Sequence, residues 1–300
     1  MITVTGSLAF DHIMDFPGKF SDHIMPDKIH QINLSFLVNT LKKQRGGTAG
    51  NIAYNLALLN SPVSIVGTAG DDFSEYRKFL QDAGVNTSKI KISEGSLTSS
   101  AYIMTDLADN QITAFYPGAM SENSTLSIEP SDFVVISPND PKAMVKFAKQ
   151  CQNSRTPYML DPGMQLPALE PQDLKNMVQG ATILIGNDYE IGLLSSKLKM
   201  KSEKLLENVK ILITTLGEKG SIVQTAENIS PSRSQSPPGR WSVKAAKPKE
   251  VIDPTGAGDA YRAGFLAGYI KGLDLQVCGQ MGSVTACYAI EKYGTTSHKF

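Results

Sequence analysis

In the stretch VIDPTGAGDAYRAGF, residues 251 to 265, a carboxylate follows directly on a Gly-Ala-Gly turn and then gives way to a helix-spaced apolar run. Gly256 and Gly258 open backbone conformations closed to other residues, and a helix starting near Ala257 aims free N–H groups at the turn. That combination is an anion hole. Asp259 is kept ionised by the helix dipole in this reading, so it accepts a proton from a substrate hydroxyl while the N–H groups stabilise charge on the group in transfer. Base and anion hole in one turn suit phosphoryl transfer, whose loose transition state asks little of a base early on. The other reading of Asp259 is a helix N-cap, which accounts for the aspartate but not for both glycines. The turn is not a dinucleotide fingerprint, which needs glycine where Tyr261 stands, and no Walker sequence occurs in the chain.

The elements that must position this turn are short apolar runs alternating with helix-period segments. ITVTGSL, AGNIAYNLALLN, VSIVGTAG and DDFSEYRKFLQDAG come first; FVVIS, DPKAMVKFAKQC, PYMLDPG, ATILIGN and VKILITTLG follow. Strand then helix, repeated, predicts a largely parallel sheet covered on both faces, with ligands beyond the carboxyl ends of its strands. Residues 10–45 and 97–118 break the rhythm with alternations such as TSSAYIMTD and NQITAFYP, and they predict a small antiparallel sheet projecting as a lid. The Ser/Pro/Gly-rich 227–240 reads as an exposed loop.

The 300 residues, 41% hydrophobic and 19% charged, suffice for one large domain with an appendage. Net charge is zero and the basic residues are scattered, which removes the footprint of a nucleic-acid binder and favours a small-molecule partner. No basic leader and no apolar run of roughly 18 residues is present, so no membrane span is expected and the expected location is cytoplasmic. Cys151, Cys278 and Cys287 lack the spacing of a metal or disulfide framework and read as plain thiols.

DPTGAGDAYRAGF resembles the C-terminal signature of the ribokinase-like (PfkB) family of sugar and nucleoside kinases, and RGGTAGNIAYNLALL at 45 to 59 resembles its N-terminal signature. The resemblance implies a single α/β domain over residues 1–300: a doubly wound, mostly parallel sheet flanked by helices, with a β lid. It also implies a kinase using ATP and Mg²⁺. Asp259 then corresponds to the base, and Gly256, Ala257 and Gly258 to the anion hole over the γ-phosphate. Asn187 and Glu190 of NDYE correspond to an Asn-x-x-Glu motif that organises Mg²⁺ and its waters. Thr215, Gly217 and Gly220 of TTLGEKG correspond to a strand end that contacts ATP. Asp253, with the backbone at Thr255, Ala289, Lys292 and Gly294, corresponds to a K⁺-type site in some members, where His298 replaces the serine usual in ribokinases. Asp11 corresponds to the ligand of the sugar hydroxyls, and Gly46, Gly47 and Asn51 to the loop that closes over the sugar, with the glycine pair as its hinge.

Within the family, NQITAFYPGAM, LDPGMQLP and Arg262 look more like the adenosine and broad-specificity nucleoside kinases than like ribokinase, and Thr48 stands where ribokinases have a lysine. On that resemblance the acceptor is a nucleoside, phosphorylated at its 5′-hydroxyl. Asn110, Gln111, Phe115 and Tyr116 then lie on the lid, to stack on or read a base, or else to serve lid packing or a homodimer contact. Arg262 contacts phosphate or pairs with an acidic neighbour on its helix. Met14, Met25, Met104 and Met120 suggest an adaptable pocket. A free-sugar kinase and a non-catalytic nucleoside or sugar sensor are the competing readings.

Overall fold

The computed structural model describes residues 1–25, 30–31, 33–108, 110–226 and 239–300. In chain order its strands and helices begin β1 (Ile2–Thr5), β2 (Ala9–Asp15), β3 (Thr40–Gly46), α1 (Thr48–Leu58), β4 (Val63–Ala69), α2 (Ser74–Asp82) and β5 (Ile90–Ile92). They continue through β6 (Ser99–Thr105), β7 (Gln111–Tyr116), β8 (Phe133–Ile136), α3 (Pro141–Ser154), β9 (Tyr158–Leu160), α4 (Pro171–Gly180), β10 (Ile183–Asn187) and α5 (Asp188–Leu198). The last are β11 (Ile211–Thr215), β12 (Ser221–Thr225), β13 (Arg240–Val243), α6 (Ala257–Ile270) and α7 (Leu275–Ile290). The loop expected at 227–240 lies outside the described residues up to position 238, and Arg240 already belongs to β13.

Nine strands form the main sheet in the order β13-β12-β11-β10-β9-β8-β1-β4-β5, parallel from β11 to β5 and antiparallel at the β12 and β13 edge. β1, β4 and β8 are buried along their whole length, including the polar Thr3, Thr5, Ser64 and Thr68 that interrupt the first two. From β1 the chain steps one way through β4 to β5 and later the other way from β8 to β11. The strand order therefore reverses at the β1/β8 pair, and a crevice opens beyond the carboxyl ends there. Helix α6 is apolar nearly all round, with residues 260–269 buried, as expected of a helix sunk in the core.

β3-β2-β6-β7 form the second sheet. It is mixed rather than antiparallel: each of its two hairpins is antiparallel within itself, but β2 runs parallel to β6. The reason is connectivity, since both hairpins leave the main sheet in the same direction and their first strands lie side by side. Among the described residues no helix is long and apolar enough to cross a membrane.

Candidate active site

The Gly-Ala-Gly turn caps α6. Gly256 is the N-cap, at φ 79°, a left-handed conformation that favours glycine. The first-turn N–H groups of Gly258 and Asp259 have no helical acceptor, whereas the N–H of Ala257, expected in the same anion hole, donates to the Pro254 carbonyl at 3.3 Å. Gly258 does not have a positive φ. It is required for room instead, because a Cβ there would lie 2.6 Å from Arg262 Nη1.

Asp259 makes no capping hydrogen bond; its Oδ2 accepts from Asn51 Nδ2 at 2.8 Å. Burial pushes its carboxyl up to about 6, against the opposing pull of Arg262 and of the Asn51 hydrogen bond. The helix dipole therefore does not hold this carboxylate low: desolvation outweighs it. A carboxylate poised near 6 is a better proton acceptor than an ordinary aspartate and is still ionised at neutral pH.

Asp11 enters the same crevice from β2. Its carboxyl too is raised to about 6, first by burial and then by the negative charge of Asp253. Gly46 lies against it, so close that a Cβ there would overlap Asp11 Oδ2. Gly47, at φ 87°, turns the chain from β3 into α1, where a Cβ would sit 2.5 Å from the Ser7 carbonyl. Asn51 is not in that loop but in the first turn of α1, buried and facing Asp259.

Sheet register sorts the lid residues. Asp11 pairs with Ala101, which pairs with Phe115, so Phe115 shares Asp11's face. Tyr116 points to the opposite face, which removes it as a neighbour of Asp11. Gln111 is on Asp11's face but four residues farther out, roughly 13 Å along the strand. Arg262 is buried, and its Nε lies 2.6 Å from Oδ2 of buried Asp161 at the end of β9, so its ion-pair partner is on another element, while Asp259 on its own helix adds a second negative charge nearby. Of the methionines, Met120 is buried and Met25 exposed.

Asn187 and Glu190 form a capping box at the start of α5: Asn187 Oδ1 accepts from Glu190 N at 2.7 Å, and Glu190 Oε2 accepts from Asn187 N at 2.8 Å. Glu190 still has its other oxygen to offer. Among the described residues no group of three His, Cys, Asp or Glu could hold a metal. One hard carboxylate in the first turn of α5 suits Mg²⁺, which keeps its waters and takes few protein ligands. Asp253 is buried, accepts from Thr255 N at 2.9 Å and Gly294 N at 3.0 Å, and forms no ion pair among the described residues. A buried carboxylate balanced only by backbone dipoles fits a monovalent cation. The His298 ring is turned to Asn55 Oδ1 at 2.7 Å and burial lowers its pKa to about 4, so it stays neutral.

Beside the turn lies a cavity of about 630 Å³ that brings Thr215, Gly217 and Gly220 of the β11–β12 hairpin against Ala257 and Gly258. Its far wall, with Ala286 and Ile290 of α7, is apolar enough for a flat base. Those α7 residues carried no motif, and Asp161, although it lies in the LDPGMQLP segment, was given no role of its own in the sequence.

A family description, pfkB family carbohydrate kinase, matches residues 8–299. The chain is 33% identical to a nucleoside kinase of Methanocaldococcus jannaschii, over 98% of this chain and 91% of that protein. It is 30% identical to a nucleoside kinase of Methanothermobacter thermautotrophicus, over 99% and 91%. Among solved structures, Burkholderia thailandensis nucleoside kinase in complex with inosine superposes with a TM-score of 0.87 at 32% identity, covering 99% of this chain and 93% of that one. The complex of that enzyme with ADP-inosine gives 0.85 at 33% identity, covering 100% and 92%.

Proposed function

Because this chain belongs to the pfkB family of carbohydrate kinases, and so is a kinase, we propose that it transfers the γ-phosphoryl group of ATP to the 5′-hydroxyl of a nucleoside. The observation that carries this reading is the pairing of Asp259 with the free N–H groups of its own turn, opposite Asp11, at the mouth of a base-sized apolar cavity. The names of the relatives support a nucleoside over a free sugar.

The adenine of ATP occupies the cavity between the β11–β12 hairpin and α7, and its phosphates run past Thr215 and Gly217 to the α6 turn. Asp11 accepts hydrogen bonds from the vicinal ribose hydroxyls, an arrangement a raised, unpartnered carboxylate favours. Phe115 offers the acceptor base a stacking face. Asp259 takes the proton of the 5′-hydroxyl as the oxygen attacks phosphorus, and the N–H groups of Gly258 and Asp259 stabilise the equatorial oxygens. Mg²⁺ held by water near Glu190 would neutralise phosphate charge, and K⁺ beside Asp253 would steady the turn. The small sheet, on 9–46 and 99–116, closes over the acceptor about Gly46 and Gly47 and excludes water. We further propose that Tyr116, Tyr102 and Leu41, exposed on the outer face of that sheet, serve a homodimer contact. The setting we assign is cytoplasmic, with no nucleic-acid partner.

The test is to incubate the protein with ATP and Mg²⁺ against adenosine, inosine, guanosine, cytidine, ribose and fructose in parallel, following ADP release and product mass. Nucleoside 5′-monophosphates support the proposal; turnover on a free sugar alone reassigns the acceptor.

A further inference from the structure

Beyond α7 the chain returns across the back of the α6 turn. Asp253 pins this return by accepting from Gly294 N at 3.0 Å. The next residue, Thr295, is 3% exposed, and its hydroxyl has two acceptors in reach: Asn51 Oδ1 at 2.7 Å and the Arg45 carbonyl at 3.0 Å. Asn51 in turn donates from Nδ2 to Asp259 Oδ2 at 2.8 Å. Its backbone carbonyl is held by Asn55 Nδ2 at 2.9 Å, and Asn55 Oδ1 meets His298 Nε2 at 2.7 Å. Thr295 Cγ2 also lies 2.9 Å from where a Cβ on Gly256 would stand, so its methyl backs the turn directly.

An asparagine amide has two unlike ends of nearly one shape. Rotated by half a turn, Asn51 would present an oxygen to the Asp259 carboxylate, and repulsion would push the carboxylate away. The partner at the far end decides between the two orientations. A hydroxyl that donates to Oδ1 selects the one that gives Asp259 an N–H. It leaves the other oxygen of Asp259 for the incoming hydroxyl.

We propose that Thr295 is a positioning residue for phosphoryl transfer, holding Asp259 in line through the Asn51 amide. This rests on Asp259 being the base. The same link joins the turn to the Arg45 carbonyl, one residue before Gly46. The charged groups around Asp259 are Arg262 on its own helix, Asp161 after β9 and Asp11 on β2, and none of them lies in this chain of hydrogen bonds.

The experiment compares Thr295→Val, Thr295→Ser and Asp259→Asn, plus the Thr295→Val/Asp259→Asn double variant, with inosine and ATP as probes. Thr295→Val is expected to lower kcat roughly tenfold with little change in KM, the size of effect that misaiming a catalytic group gives. Losing the N–H to the carboxylate also moves the acid limb of the kcat profile to higher pH. Thr295→Ser keeps the hydroxyl and restores turnover to within about threefold. In the Asp259→Asn background, Thr295→Val has no further effect, because its influence runs through the missing base. If valine does not fold at 295, Thr295→Ala is read the same way. Unchanged kcat and pH limb in a folded Thr295→Val, a loss that serine does not rescue, or losses that add in the double variant would each overturn the inference. Near-normal turnover in Asp259→Asn would instead overturn the assignment of the base, a separate failure.

Discussion

Asn51, in the first turn of α1, and Asp259, in the first turn of α6, are 208 positions apart in sequence and 2.8 Å apart in space. The two segments are thus joined by a hydrogen bond, from the helix that follows β3 of the small sheet to the helix that starts at the Gly-Ala-Gly turn. A shift of α1 is felt at Asp259.

On the role proposed for Asp259, its titration sets the pH profile. With Asp259 and Asp11 both near 6, kcat/KM is expected to rise as pH increases through about 6 and to level off above 7. An acid limb near 4, the ordinary aspartate range, would contradict the enclosed site. Stability follows the opposite course. A carboxyl raised from 3.8 to about 6 on folding contributes stability below pH 3.8, and that contribution is lost as pH rises through 6. Asp259→Asn should therefore raise Tm at pH 8 and leave it unchanged near pH 3.5.

On the role proposed for Asp11 at the substrate hydroxyls, Asp11→Ala is expected to raise KM for the nucleoside by about 10²-fold or more, the cost of two charge-assisted hydrogen bonds. KM for ATP should stay within about twofold. Equal rises in both constants would place Asp11 in a general structural role.

The two glycines of the turn should fail for different reasons. Gly256→Ala puts a side chain at φ 79° and against Thr295, and is expected to cost stability by about 1–2 kcal/mol as well as turnover. Gly258→Ala keeps an ordinary helical backbone but intrudes on Arg262, so turnover should fall further than Tm. Thermal unfolding and kcat, measured on both variants, separate the two.

Much of this was legible because the residues of the candidate site sit in two short glycine-containing segments. Gly256 to Asp259 and Gly46 to Asn51 stood out in sequence, and the repeated alternation of strand-like and helix-like segments pointed to the parallel sheet. What was hidden depends on register and on single contacts. Whether Phe115 or Tyr116 faces Asp11 turns on a one-residue register that alternation alone does not set. Thr295 carries no motif, and Asp161, though inside LDPGMQLP, had no role assigned, because an ion pair or an amide link needs only one residue from a distant part of the chain. The direction of the Asp259 shift was missed since burial, invisible in sequence, overrides the helix dipole.

Arg262 and Asp161 form a buried pair, and removing one partner strands the other. Arg262→Met is expected to destabilise the fold by about 3–5 kcal/mol and to move the acid limb to higher pH, because the guanidinium also steadies Asp259. Arg262→Met with Asp161→Leu should recover much of the lost Tm but not the pH limb.

The most direct test of Asp259 as the base is to measure Asp259→Asn for both turnover and binding. In that variant kcat with inosine is expected to fall by roughly 10²–10⁴-fold while inosine binding, read by calorimetry, stays within a few-fold of the unaltered protein. Near-normal turnover in that variant would contradict the role assigned to Asp259.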